Sequence, residues 1–174
     1  MGIPAPTHTR TYRRLVANTT INGTTLLSTD YLNHFNEVIM LLDLCADMPE
    51  MIEEVKAWQP KTYAEHFRDS VFSHKTLAIA AYDHAPPEYR IPFDETVAGL
   101  DRDVTAAVSQ VSTALAGGDQ GMAGQIIRSA SRKLQQGVDR ASGIINGVSV
   151  PPTDTQDTAP TPVMDQADID KLFD

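Results

Sequence analysis

One cysteine, Cys45, stands alone among 174 residues. No internal disulfide can form, and a reducing cytoplasm is the expected home. Positive charge is also scarce: 14 Lys and Arg against 23 Asp and Glu give a formal net charge of -9. That balance argues against a nucleic-acid backbone or an anionic membrane as the main partner. No apolar run approaches the roughly 18 residues that a membrane-spanning helix needs. The opening stretch, MGIPAPTHTRTYRR, lacks the apolar core of a secretory signal, and Pro6 breaks the myristoylation pattern after Gly2. There is no Gly-rich phosphate loop, no Ser/His/Asp set at a recognisable spacing, and no Cys-x-x-Cys.

What remains is apolar mass and helical patterning. Hydrophobic residues make up 41% of the chain, enough for the core of one ordinary domain. Composition divides the chain into four parts. Residues 1–11 read as a flexible arm and residues 12–148 as the folded domain. Residues 149–163, SVPPTDTQDTAPTPV, read as a disordered linker, because they bring four prolines and little apolar surface to bury. Residues 164–174, MDQADIDKLFD, become patterned again.

The predicted fold class is all-α: a helical bundle with a long antiparallel C-terminal helical hairpin, then the linker and a short C-terminal helix. Ser28 or Thr29 can cap a helix over about 30–46, with Leu32, Phe35, Ile39 and Leu42 at helical spacing. Asp47 is the expected cap of the next helix, with Pro49 in its first turn and Pro60 beyond its end. Shorter helices are expected over 62–69 and 74–83, and HAPPEYRIP is expected to break the chain. Val97, Leu100, Val104, Ala107, Val111 and Leu115 then recur in steps of three and four. So do Ile127, Ala130, Leu134, Val138, Ala141 and Ile145. Gly117 and Gly118 should close the first helix of this hairpin and Asp119 open the second. TTINGTTLL reads as an irregular lead-in, in preference to a short β-hairpin at Asn22-Gly23.

Several side chains invite chemistry. Asp30, Asn33, His34 and Glu37 form a polar stripe on an apolar helix. Asp30 with Asn33 sets an acid one turn from an amide. His34, His66, His74 and His84, with Glu37, Glu65 and Asp69, lack the Glu-x-x-His pairs of a helical di-metal site, so no metal site is expected. Trp58, Tyr63, Phe67 and Phe72 read as core. Cys45 reads as a buried, inert thiol. Arg10, Arg13 and Arg14 read as a small basic cluster that clamps the acidic body.

In the tail, Asp165 can cap a short helix, with Asp168 three residues on. Ile169, Leu172 and Phe173 then share one face, which Met164 extends. Two turns are too few to stand alone. The segment should fold on docking, held near its partner by the linker. The alternative is that the tail packs on its own body as a last helix, in a structural helical protein.

The run from Gln166 to Asp174 resembles the N-terminal segment of the flagellar motor switch protein FliM, Leu-Ser-Gln-x-Glu-Ile-Asp-x-Leu-Leu/Phe, which binds the phosphorylated response regulator CheY. Gln166, Ile169, Asp170 and Leu172 match outright. Asp168 stands for the Glu, Met164 for the Leu, and Phe173 is an allowed ending. Asp165 replaces the Ser and keeps a capping side chain. The resemblance implies a CheY-like receiver as partner. Ile169, Leu172 and Phe173 would enter its groove, and Asp168 and Asp170 would meet its lysines. It implies no cofactor beyond the magnesium that the receiver itself carries. It covers about eleven residues and says nothing of the body.

The layout of helical body, Pro-rich linker and terminal helix is loosely similar to the chemotaxis phosphatase CheZ. That family's Asp with Gln four residues later is missing, because Gly121 precedes Gln125 at that spacing. Asp30 and Asn33 resemble the Glu-x-x-Asn of the CheC and CheX phosphatases, with Asp for Glu. The resemblance thus implies an adaptor or phosphate sink in chemotaxis, with a receiver phosphatase as alternative. A homodimer through the hairpin is also compatible with its small-residue faces.

Overall fold

A computed structural model describes residues 7–148. The tail motif and the linker lie outside the described residues. Within them the chain is all-α, with seven helices. These are α1 (Thr7–Leu15), α2 (Asn33–Asp47), α3 (Ile52–Ala57), α4 (Tyr63–Asp69), α5 (Lys75–Asp83), α6 (Pro87–Ala116) and α7 (Gln120–Ile145). No helix among the described residues is long and apolar enough to cross a membrane.

The frame is made by α2, α6 and α7. The hairpin forms as its periodicity predicts: Leu100, Val104, Ala107 and Val111 of α6 are buried, as are Ile127, Leu134, Val138, Ala141 and Ile145 of α7. Its turn is specified by three consecutive residues. Gly118 takes a φ of +74°, the left-handed conformation that suits glycine. Its N–H then bonds to the Leu115 carbonyl, and the Asp119 N–H to the Ala114 carbonyl. That pair of bonds satisfies the last carbonyls of α6. Asp119 also opens α7, its carboxylate accepting from the Met122 N–H at 2.8 Å.

Against α7 lies α2, whose Phe35, Val38, Ile39 and Leu42 are buried. Ser28 caps the 3₁₀ turn Thr29–Leu32 that runs into α2. Lead-in residues 16–28 are irregular, closed by a single bridge between Ile21 and Ser28. The Asn22 carboxamide accepts from the N–H groups of Thr24 and Thr25, an Asx turn that leaves Leu26 at a positive φ of 59°. The buried Thr25 hydroxyl then donates to the Ile145 carbonyl at 2.6 Å, latching this loop to the end of α7.

Four local expectations are corrected. Helix α1 starts at Thr7, so the described part of the arm is helical; Tyr12 stacks on His84 with ring centroids 4.5 Å apart. Asp47 ends α2 rather than capping α3, and Met48 fills the cap position ahead of the 3₁₀ turn Pro49–Met51. HAPPEYRIP does not break the chain throughout: Pro87 starts α6 and Pro92 lies inside it. The bond that Pro92 cannot make would have fallen to the carbonyl of Glu88. That residue is exposed and in the first turn, so water can serve it. Finally, Arg10, Arg13 and Arg14 are exposed, and no ion pair among the described residues involves them.

Candidate functional site

The acid-amide pair sits where the 3₁₀ turn meets α2. Asp30 Oδ2 accepts from the Thr20 hydroxyl and from the Ser28 hydroxyl, each at 2.8 Å. Its carboxylate therefore fastens the lead-in loop to the start of α2. Asn33 is exposed. With His34, Glu37, Lys61, His66, Asp69 and Ser70 it lines a cleft of about 190 Å³, and Asp30 does not line it.

His34 is 5% exposed, so the polar stripe does not lie wholly in solvent. Its ring stacks on Trp58 at 4.5 Å, and the Trp58 indole N–H donates to the His34 carbonyl at 3.0 Å. Its Nε2 is buried with no hydrogen-bond partner in the protein. Burial lowers its pKa to about 4, assisted by the nearby His66 and Lys61. His66 Nε2 lies 3.1 Å from the Asp30 carbonyl, which makes that nitrogen a donor. Burial lowers the His66 pKa as well. No group of three His, Cys, Asp or Glu side chains among the described residues converges to hold a metal. Cys45 is buried, and that burial raises its pKa, so little of it is thiolate.

Another cavity, of about 280 Å³, lies between α6 and the segment entering α4. Thr62 and Glu65 form a reciprocal capping box that fixes this segment. The cavity walls are Tyr31, Tyr63, Tyr82 and Phe93, and its floor includes Val97 and Ala98. The hydroxyls are committed. Tyr31 donates to the Lys61 carbonyl at 2.7 Å, Tyr82 donates to Asp94 at 2.6 Å, and Tyr63 accepts from the Ser28 N–H at 2.9 Å. Burial raises the pKa of all three tyrosines.

Asp101 is also among the lining residues. Its Oδ1 is buried and has no hydrogen-bond partner in the protein. Burial pushes its pKa up to about 6. Sequence reasoning missed this residue. Asp94, Val97, Ala98 and Asp101 share one face of α6 at i, i+3, i+4 and i+7, but an acid on a half-exposed helix face reads as solvated.

In comparisons with protein-family models, curated proteins and solved structures, nothing matches this chain.

Proposed function

We propose that residues 164–174 dock on a CheY-like receiver, and that the helical domain carries this segment as a cytoplasmic adaptor or phosphate sink in bacterial chemotaxis or flagellar control. One observation carries the reading: Gln166, Ile169, Asp170 and Leu172 match the switch-protein segment in order, with Asp168 in place of its Glu and Phe173 as an allowed ending, behind a proline-rich linker. The acidic character of the segment suits a receiver face rich in lysine and would act mainly on the association rate. The adaptor is preferred to the phosphatase because the Asp30 carboxylate is held by two hydroxyls and stands outside the cleft that Asn33 lines. Pairing of two copies through α6 and α7 is compatible with either role.

The test is binding of the full chain, and of a chain ending at Val163, to a CheY-type receiver with and without beryllofluoride. The full chain should bind the activated receiver at least about tenfold more tightly than the truncated one, the scale of losing a small hydrophobic anchor set. Equal binding by both chains would overturn the proposal. Asp30→Ala and Asn33→Ala should leave the receiver's dephosphorylation rate unchanged; a lost acceleration would favour the phosphatase. Protection of the tail amides from hydrogen exchange in the isolated protein would instead place the tail on its own body.

A further inference from the structure

We infer that the exposed basic face of α1 is a docking surface for the chain's own acidic segment, residues 164–174. Arg10, Arg13 and Arg14 lie within the nine residues of α1, and all three are exposed. No ion pair among the described residues reaches them. The other side of the helix is turned to the protein: Thr9 is buried, and Tyr12 stacks on His84. Residues 1–29 contain no Asp or Glu, so no acid close in sequence offsets the three arginines.

Exposed arginines elsewhere have acids as neighbours. Arg140 follows Asp139 and shares a cleft with Glu95 and Asp103. Arg128 and Arg132 lie beside Ser131, which donates to the Asp43 carboxylate. Positive charge thus stands least opposed on α1, in a chain of net charge -9.

The opposite charge follows α7. Residues 149–174 hold six Asp against one Lys, and Asp165, Asp168, Asp170 and Asp174 fall within 164–174. That segment is within reach. The helices α6 and α7 form an antiparallel hairpin, so the end of α7 lies beside the start of α6. Helix α1 sits at this same end, because Tyr12 stacks on His84, just ahead of Pro87. The lead-in after α1 is latched to Ile145 through Thr25. Residues 149–163 can span about 50 Å at full extension, more than the width of a domain of this size. Leu15, 54% exposed beside Arg14, offers an apolar neighbour to Leu172 or Phe173.

Single exposed ion pairs are weak, but a tether makes this contact intramolecular, at an effective concentration of about millimolar. Such pairs engage side chains and leave the amides open to exchange, unlike a packed last helix. For the receiver proposed above, α1 is then a competitor for the same acids. An anionic membrane is a poorer occupant, since three arginines fall short of the roughly four to eight cations of a lipid-binding cluster.

The test places a nitroxide at Lys171→Cys of the full chain; Cys45, 2% exposed, does not compete for it. Paramagnetic broadening of the Arg10, Arg13 and Arg14 amides reports the contact. It should be strong at about 20 mM NaCl and fall at least about threefold at about 500 mM, where surface pairs are screened. Replacing all three by Gln (Arg10→Gln, Arg13→Gln, Arg14→Gln) should lower it as much. Arg128→Gln, Arg132→Gln and Arg140→Gln together remove equal charge from exposed positions of α7 and should leave it unchanged. All six positions are exposed, so both variants are expected to fold, and circular dichroism checks this. Broadening that is indifferent to salt, that survives the α1 substitutions, or that falls equally in both variants would overturn the inference. So would binding of phosphatidylglycerol vesicles through the three arginines with no broadening at α1. No receiver is present in the test, so failure of the receiver reading does not alter its outcome.

Discussion

Gly137→Ala will destabilise the protein by about 1–2 kcal/mol, although alanine is the better helix former by about 1 kcal/mol. Gly137 lies on the face of α7 that meets α6. A Cβ built there stands 2.5 Å from Leu100 Cδ2 and 3.1 Å from Leu100 Cγ. Leu100 is 2% exposed, so its side chain can yield only by pushing into packed core. Overpacking of this kind costs about 1–3 kcal/mol and outweighs the gain in propensity. Gly121→Ala, in the same helix, provides the contrast. Its Cβ would meet nothing closer than Asp119 Oδ1 at 3.6 Å, an ordinary contact. That variant should gain about 0.5–1 kcal/mol. Thermal melts then read opposite signs, at about 3 °C per kcal/mol for a domain of this size. Leu100→Ala combined with Gly137→Ala should cost less than the sum of the two single changes, because the first makes room for the second. If Gly137→Ala melts above the wild type, α6 and α7 do not approach as closely as described.

This contact also shows how far the sequence could be read. The stripes from Val97 to Leu115 and from Ile127 to Ile145 announced the hairpin. Gly117, Gly118 and Asp119 announced its turn, because helix-end chemistry is local. Ser28 and Thr62 cap the turns that follow them for the same reason. The failures are where a distant element decides. Pro92 looks like a breaker until its lost bond is seen to fall on the exposed first turn of α6. His34 belongs to a polar stripe until Trp58, from beyond α3, lies over its ring. Asp101 looks solvated on its helix face, yet its Oδ1 is buried. The candidate cavity was thus the least legible part: its two walls share no local pattern.

Those two buried groups make the second large prediction, an opposed pair of pH responses. His34 has its pKa lowered from 6.5 to about 4, with burial as the main cause. The unfolded chain therefore takes up its proton first as pH falls below 6.5, and stability is lost from there down to about pH 4. Asp101 has its pKa raised from 3.8 to about 6. Here the folded chain takes up the proton first, and stability is gained as pH falls from 6 toward 3.8. Between pH 6.5 and 4.5 the histidine loss is about 2 kcal/mol, and the aspartate gain, discounted for partial exposure, about 1 kcal/mol. His66 faces His34 and shifts in the same sense, adding to the loss in every variant. Glu65 and Asp69 have lowered pKa values, so their contributions are lost below that range and do not disturb the comparison. Urea unfolding at steps of pH should therefore show a shallow acid loss for the wild type. Asp101→Asn should be more stable than the wild type at pH 7 and lose that advantage on acidification. His34→Phe, which keeps an aromatic ring against Trp58, should lose less stability than the wild type between pH 6.5 and 4.5. Three parallel curves would mean that neither group is buried in the state that unfolds.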